Sequence, residues 1–176
     1  MFVEGAKQQH LEKFLEALNR TGAQTTQESG GIRVLGNGRP NGLRIITRPY
    51  PGFPTDLQAQ MMALLTLGKQ QSIVEETIFE NRFLHAQELV RLGADVHVQG
   101  HTATIAGVPV LNGAPVMATD LRASVSLVLA GLAAHGETEI TRIYHLDRGY
   151  ERIEDRLSQL GAHIRRETMD EHEKEL

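Results

Sequence analysis

The sequence predicts an α/β (α+β) protein made by repeating one β-α-β-α-β-β unit around buried helices, and three observations carry that prediction. First, Thr55-Asp56-Leu57 returns 64 residues later as Thr119-Asp120-Leu121, each opening an apolar stretch that runs to a glycine, Gly68 and then Gly136. Second, a helix-like run ending in Gly-Ala before a strand occurs three times, at Gly22-Ala23, Gly93-Ala94 and Gly161-Ala162, in steps of 71 and 68 residues. Third, the stretch containing Val125, Leu127, Val128, Leu129 and Leu132 is apolar nearly all round, the pattern of a helix buried on every side.

Each element follows from local pattern. Leu11, Phe14, Leu15 and Leu18 fall on one helical face, and Gly22 stops that helix. Ile32 and Val34 mark a strand, and Gly36-Asn37-Gly38 predicts a tight hairpin into Leu43–Thr47. Pro49, Pro51 and Pro54 break the chain. Thr55 with Gln58 has the form of a capping box, so the next helix, with Leu57, Met61, Leu64 and Leu65 on one face, is expected to begin at Thr55. A strand at Ser72–Glu76, a helix at Leu84–Leu92, and strands at Val96–Val98 and Thr102–Ala106 about a turn at Gly100 complete that unit. The next copy reads as a strand at Pro115–Ala118, a helix from Asp120 to about Ala134, a strand at Thr138–Thr141, a helix over Gly149–Leu160 and a strand at His163–Arg165. These elements divide the chain into a partial repeat over 1–47, a second repeat over 48–110, a third over 111–166 and a charged tail over 167–176. The opening helix has only Phe2-Val3-Glu4 before it and reads as the second half of a unit; a second copy of the chain could cover the apolar face this leaves.

Composition narrows the function. With 176 residues, no cysteine, 18 basic and 22 acidic side chains and a formal charge of −4, the chain needs no disulfide and is a poor match for nucleic acid. The longest apolar run, Leu127–Ala134, is far short of the roughly 20 residues a membrane helix requires, so the expected location is the cytoplasm. The eight histidines include no metal-ligand spacing: His97 and His101 flank a turn with no acid beside them. No metal or cofactor is expected.

The candidate site residues come in pairs. Asp56 and Asp120 stand at equivalent helix starts, where a carboxylate either caps the backbone or, held by the proline-led approach Pro49–Pro54, accepts a proton from a hydroxyl. Arg82, in Glu80-Asn81-Arg82, and Arg148, in Asp147-Arg148, each follow the second strand of a unit; they either pair with the neighbouring acids or receive an anionic ligand. Arg122, one turn into the apolar helix, must meet an acid or a ligand, and Asp120 is the expected partner.

Taken together, Pro51-Gly52-Phe53-Pro54-Thr55-Asp56-Leu57-Gln58-Ala59-Gln60, Ile78-Phe79-Glu80-Asn81-Arg82-Phe83, Ala118-Thr119-Asp120-Leu121-Arg122-Ala123 and Tyr144-His145-Leu146-Asp147-Arg148-Gly149-Tyr150-Glu151 closely resemble the UDP-N-acetylglucosamine 1-carboxyvinyltransferase family of enolpyruvyl transferases. The resemblance reaches to about Arg166 and matches only the C-terminal part of those enzymes. It implies one domain of an inside-out α/β barrel, and a cytoplasmic enzyme of peptidoglycan synthesis that moves the enolpyruvyl group of phosphoenolpyruvate onto the 3-hydroxyl of UDP-N-acetylglucosamine. By matching motifs, Asp56 would be the base at the sugar hydroxyl, Ile78 would hold the UDP-sugar through its backbone beside Phe79, and Arg148 would reach phosphoenolpyruvate. Asp120 and Arg122 would lie near the reacting centre, with Glu80 and Arg82 supporting the cleft wall. The family's other domain supplies a Lys-Asn pair, further arginines and a loop carrying a proton donor, none of which this sequence contains. The chain alone is therefore expected to fold but not to catalyse. The competing expectation is a stand-alone module that binds a nucleotide-sugar or a protein.

Overall fold

The computed structural model describes residues 1–167. Apart from Glu167, the charged tail expected over 167–176 lies outside the described residues. The elements run β1 (Phe2–Glu4), α1 (Gln8–Arg20), β2 (Gln24–Glu28), β3 (Gly31–Leu35), β4 (Arg44–Ile46), a single 3₁₀ turn (Thr55–Leu57), α2 (Gln58–Leu65), β5 (Ser72–Glu75), α3 (Leu84–Arg91), β6 (Asp95–Gln99), β7 (Thr102–Ala106), β8 (Pro115–Met117), α4 (Leu121–Ala133), β9 (Glu139–Thr141), α5 (Tyr144–Asp147) and α6 (Ile153–Gln159).

Three sheets result, in the orders β1-β3-β2, β4-β5-β7-β6 and β8-β9. The four-strand sheet shows the unit in full. Strand β4 pairs in parallel with β5 (Ile45 opposite Val74), and β5 and β6 flank β7 antiparallel (Val74 opposite Ala103, Val98 opposite Ala103). The first sheet repeats its β5-β7-β6 portion, with Val3 opposite Ile32 and Gln27 opposite Ile32, so Phe2–Glu4 is a strand. The last sheet repeats its parallel portion, with Val116 opposite Ile140.

The recurrent Gly-Ala phrase has one physical cause. Gly22, Gly93 and Gly161 all sit at positive φ (101°, 89° and 92°) just past a helix, where a side chain would be strained. After α3, the Gly93 N–H donates to Val90 O (2.9 Å) and the Ala94 N–H to Leu89 O (3.1 Å); after α6, Gly161 and Ala162 do the same to Ser158 and Leu157. Both are Schellman closures that satisfy the last helical carbonyls and turn the chain toward the next segment.

Several elements depart from expectation. Gly36-Asn37-Gly38 does not close a hairpin: β3 pairs with β1 and β2 while β4 joins the other sheet, so the segment is a crossing between sheets. The hairpin turn lies at Gly30 (φ 88°), between β2 and β3. No capping box forms at Thr55. Its hydroxyl donates instead to Glu76 Oε2 (2.8 Å), and α2 begins at Gln58. The helix expected over Gly149–Leu160 begins only at Ile153, because Arg152 takes a left-handed φ of 45°. Residues 162–167 form no strand, although Ile164 packs against Val125, Val128, Leu146 and Ile153.

Helix α4 holds the layers together by packing against α2, α3 and α5. Leu127 is fully buried and Val128 nearly so, alongside Met62, Leu65, Leu89 and Ile105. The helix is not buried on every side: Leu129 and Leu132 are each 41% exposed.

Candidate functional site

The parallel pairs β4-β5 and β8-β9 place their carboxyl ends at Ile46, Glu75, Met117 and Thr141, and every candidate residue lies in the segments that follow those ends. Loops beyond the carboxyl ends of parallel strands are where open α/β sheets bind ligands. Asp56 is reached after β4, Ile78 to Arg82 after β5, Asp120 and Arg122 after β8, and Arg148 after β9.

Asp56 lies in the 3₁₀ turn and does not cap α2. Its Oδ1 accepts from Arg122 Nε at 2.5 Å and from Arg82 Nη2 at 3.3 Å, and its side chain remains 61% exposed. No hydrogen bond reaches Oδ2 among the described residues. The Arg122 hydrogen bond is the largest influence holding the Asp56 carboxyl below its ordinary range; partial burial opposes it, and the charges of Arg122 and Arg82 add to it. Arg122 in turn is raised, chiefly by the same hydrogen bond.

Asp120 behaves differently. Its Oδ1 accepts the backbone N–H groups of Arg122 (2.8 Å) and Ala123 (3.0 Å), which makes it the N-cap of α4. The expected Asp120–Arg122 ion pair is absent, because side chains two apart on a helix point to different faces; Arg122 instead crosses to Asp56. The two aspartates of the repeated Thr-Asp-Leu phrase therefore do unlike work. One fixes a helix, and the other faces outward between two guanidinium groups.

Arg82 is mostly buried, with its guanidinium over the Phe79 ring at 4.6 Å. Asn81 just before it takes φ 54°, a left-handed conformation that Asn tolerates and that turns the chain there. Glu80 forms no ion pair among the described residues, so Arg82 answers to Asp56 rather than to its sequence neighbour. Arg148 is exposed and has no ion-pair partner among the described residues, since Asp147 is held by both terminal nitrogens of Arg166 (2.6 and 3.0 Å). The Ile78 N–H donates to Glu76 Oε1 (2.9 Å).

Two residues near the site escaped sequence reading. Glu76, 1% exposed, collects four hydrogen bonds, and the only prior signal was an acid at the end of an alternating strand. His85, 2% exposed, lies 3.4 Å from Met62 Sδ, and burial pushes its ring down to about 4. His97, within β6, and His101, in the β6-β7 turn, are both exposed, and no group of three or more His, Asp or Glu that could hold a metal exists among the described residues.

The fold of repeated units is one shared with enolpyruvyl transferases. NikO, an enolpyruvyl transferase from Streptomyces tendae, superposes with a TM-score of 0.83 at 29% identity, covering 91% of this chain and 37% of NikO. EPSP synthase from Acinetobacter baumannii (TM-score 0.58, 20% identity, 74% of this chain, 32% of that one) shares the fold. The chain belongs to the EPSP synthase (3-phosphoshikimate 1-carboxyvinyltransferase) family, whose model matches residues 1–157. Within it, UDP-N-acetylglucosamine 1-carboxyvinyltransferase of Anaeromyxobacter sp. (strain Fw109-5) is 60% identical over 165 residues, covering 94% of this chain and 39% of the relative. That of Nitrobacter hamburgensis is 58% identical over 167 residues, with the same coverage. The chain thus spans about two fifths of the length of these relatives. No helix among the described residues is long and apolar enough to cross a membrane.

Proposed function

We propose that this chain forms the base side of an active site that transfers the enolpyruvyl group of phosphoenolpyruvate to the 3-hydroxyl of UDP-N-acetylglucosamine in peptidoglycan synthesis, in the cytoplasm. The observation that carries the proposal is Asp56: an exposed carboxylate, ionised at neutral pH, fixed between Arg82 and Arg122 at the carboxyl ends of parallel strands. The relatives at 58–60% identity carry the name of that activity.

In this reading Asp56 takes the proton of the sugar hydroxyl while Arg148, exposed and without an ion pair among the described residues, binds the phosphate or carboxylate of phosphoenolpyruvate. The arginines beside Asp56 lower its basicity, so an anionic substrate that draws them away strengthens the base as it binds. Ile78 contributes its carbonyl to the UDP-sugar, Phe79 lines the same wall, Glu80 and Arg82 support it, and Asp120 acts by aiming Arg122 from the first turn of α4. The proton donor and the remaining anion clamp come from the N-terminal remainder of the enzyme, so the chain alone is catalytically silent. On its own it pairs with a second copy through its partial first repeat, where Phe2, Val3 and Leu35 are exposed; a monomeric mass in solution would remove that element.

A second reading, a non-catalytic module that binds a nucleotide-sugar or a protein, gains from Asp120 being spent as a cap and Asp56 being paired. Mixing the chain with the N-terminal remainder of the Anaeromyxobacter relative separates the two. Phosphate release from phosphoenolpyruvate that requires both pieces and UDP-N-acetylglucosamine supports the transferase; a silent mixture that still binds the sugar nucleotide supports the module.

A further inference from the structure

Glu76 is a buried acid with no cation paired to it among the described residues, and every one of its contacts is a neutral donor. Oε1 accepts the Thr47 hydroxyl (2.9 Å), the Ile78 N–H (2.9 Å) and the Phe79 N–H (3.2 Å), and Oε2 accepts the Thr55 hydroxyl (2.8 Å). Burying a carboxylate is costly unless such donors replace water, so an unpaired one is kept only where its geometry matters to the rest of the structure. The two oxygens reach the two halves of the site. Oε2 holds Thr55, the residue before Asp56; Oε1 holds the backbone of Phe79, on whose ring the Arg82 guanidinium rests at 4.6 Å. Thr47 closes the arrangement, because its hydroxyl also accepts the Thr77 N–H (2.9 Å) while its carbonyl accepts the Thr77 hydroxyl (2.5 Å).

We propose that Glu76 is a positioning residue for the site: one buried carboxylate clamps the Asp56 turn to the Ile78–Phe79 backbone and thereby sets Asp56 against Arg82 and Arg122. This assigns a role to a residue that touches no ligand itself, and it rests on the reading of Asp56 as the working carboxylate. An amide is a poorer clamp. A glutamine at this position has one accepting oxygen in place of two, and its NH₂ meets Thr55 only if that hydroxyl turns to accept, so a charge-assisted link to the Asp56 turn is exchanged for a weaker neutral one.

The test needs only the chain itself. Carbon-detected NMR titration of the Asp56 carboxyl is carried out on the native chain, Glu76→Gln and Thr55→Val, with protection of the Val74, Ala103 and Ile105 amides as the check that the sheet is folded. The charged groups acting on Asp56 are Arg122 and Arg82, and both remain in all three proteins. The expected result is a native midpoint below the ordinary carboxylate value of about 3.9 that moves back toward it in both variants as the guanidinium contacts loosen. A folded Glu76→Gln chain whose Asp56 titrates where the native one does would overturn the proposal. If Glu76→Gln does not fold, Thr55→Val, which cuts only the Oε2 link, decides by the same criterion. Failure of enolpyruvyl transfer in the two-piece mixture would refute the base reading while leaving this titration interpretable.

Discussion

Asp56 carries two guanidinium contacts on one oxygen and remains mostly exposed, a combination that suits an acid waiting for a ligand better than a stabilising ion pair. Exposed pairs of this kind contribute little to stability, so Arg122→Ala is expected to leave the unfolding midpoint nearly unchanged while raising the Asp56 titration midpoint; NMR titration and thermal unfolding of one variant check both. His85 makes the opposite kind of prediction. Its folded ring titrates near 4, against about 6.5 in the unfolded chain, so the unfolded state binds more protons between those values. Stability from this group is therefore full above pH 6.5 and is lost as pH falls toward 4, with Asp120 opposing and Arg82 reinforcing the depression. Urea midpoints measured at pH 7 and pH 4.5 are expected to fall, and to fall less in His85→Phe. Sequence spacing found Asp56, Arg82 and Arg122, because a carboxylate and two cations near strand ends are visible in the chain. It mispaired Arg122 and missed Glu76, because neither which acid lies across the fold nor which acid is buried is encoded by neighbours.

Periodicity made every helix but the four-residue α5 and most strands legible, and the elements that escaped it have individual causes. β2 (Gln-Thr-Thr-Gln-Glu) is polar on both faces and owes its pairing to β3, while β1 is three residues long and is set by the repeat rather than by its own pattern. Thr55 looked like a cap because of Gln58, but a buried carboxylate competes for its hydroxyl. The glycine closures were readable, since a left-handed residue after a helix selects glycine. Gly93→Ala is expected to destabilise by about 1–2 kcal/mol through backbone strain at φ 89°, measured by urea unfolding. Leu127→Ala, in the fully buried centre of α4, is expected to cost about 2–5 kcal/mol, and Asp120→Ala about 1 kcal/mol from loss of the cap. An Asp120 variant with normal stability would show that the cap is not what that carboxylate supplies.

Across the whole molecule, the three sheets are unequal versions of one unit, with four, three and two strands among the described residues. Leu129 and Leu132 of α4 and Leu64 of α2 are partly exposed, at 41%, 41% and 37%. That inequality was legible only in part: the repeat predicted the shared halves, but an α4 sequence apolar nearly all round could not say which flank is left partly exposed. Under the proposed transferase reading, the site is assembled from groups of this chain and of the N-terminal remainder, and most of the rate depends on their joint placement. The most direct measurement is phosphate release from phosphoenolpyruvate and UDP-N-acetylglucosamine by this chain mixed with the N-terminal remainder of the Anaeromyxobacter relative, comparing the native chain with Asp56→Asn. The account predicts turnover by the native mixture and a loss of about 100-fold or more in kcat for Asp56→Asn, the range expected for a general base. Equal kcat in the two mixtures would contradict it.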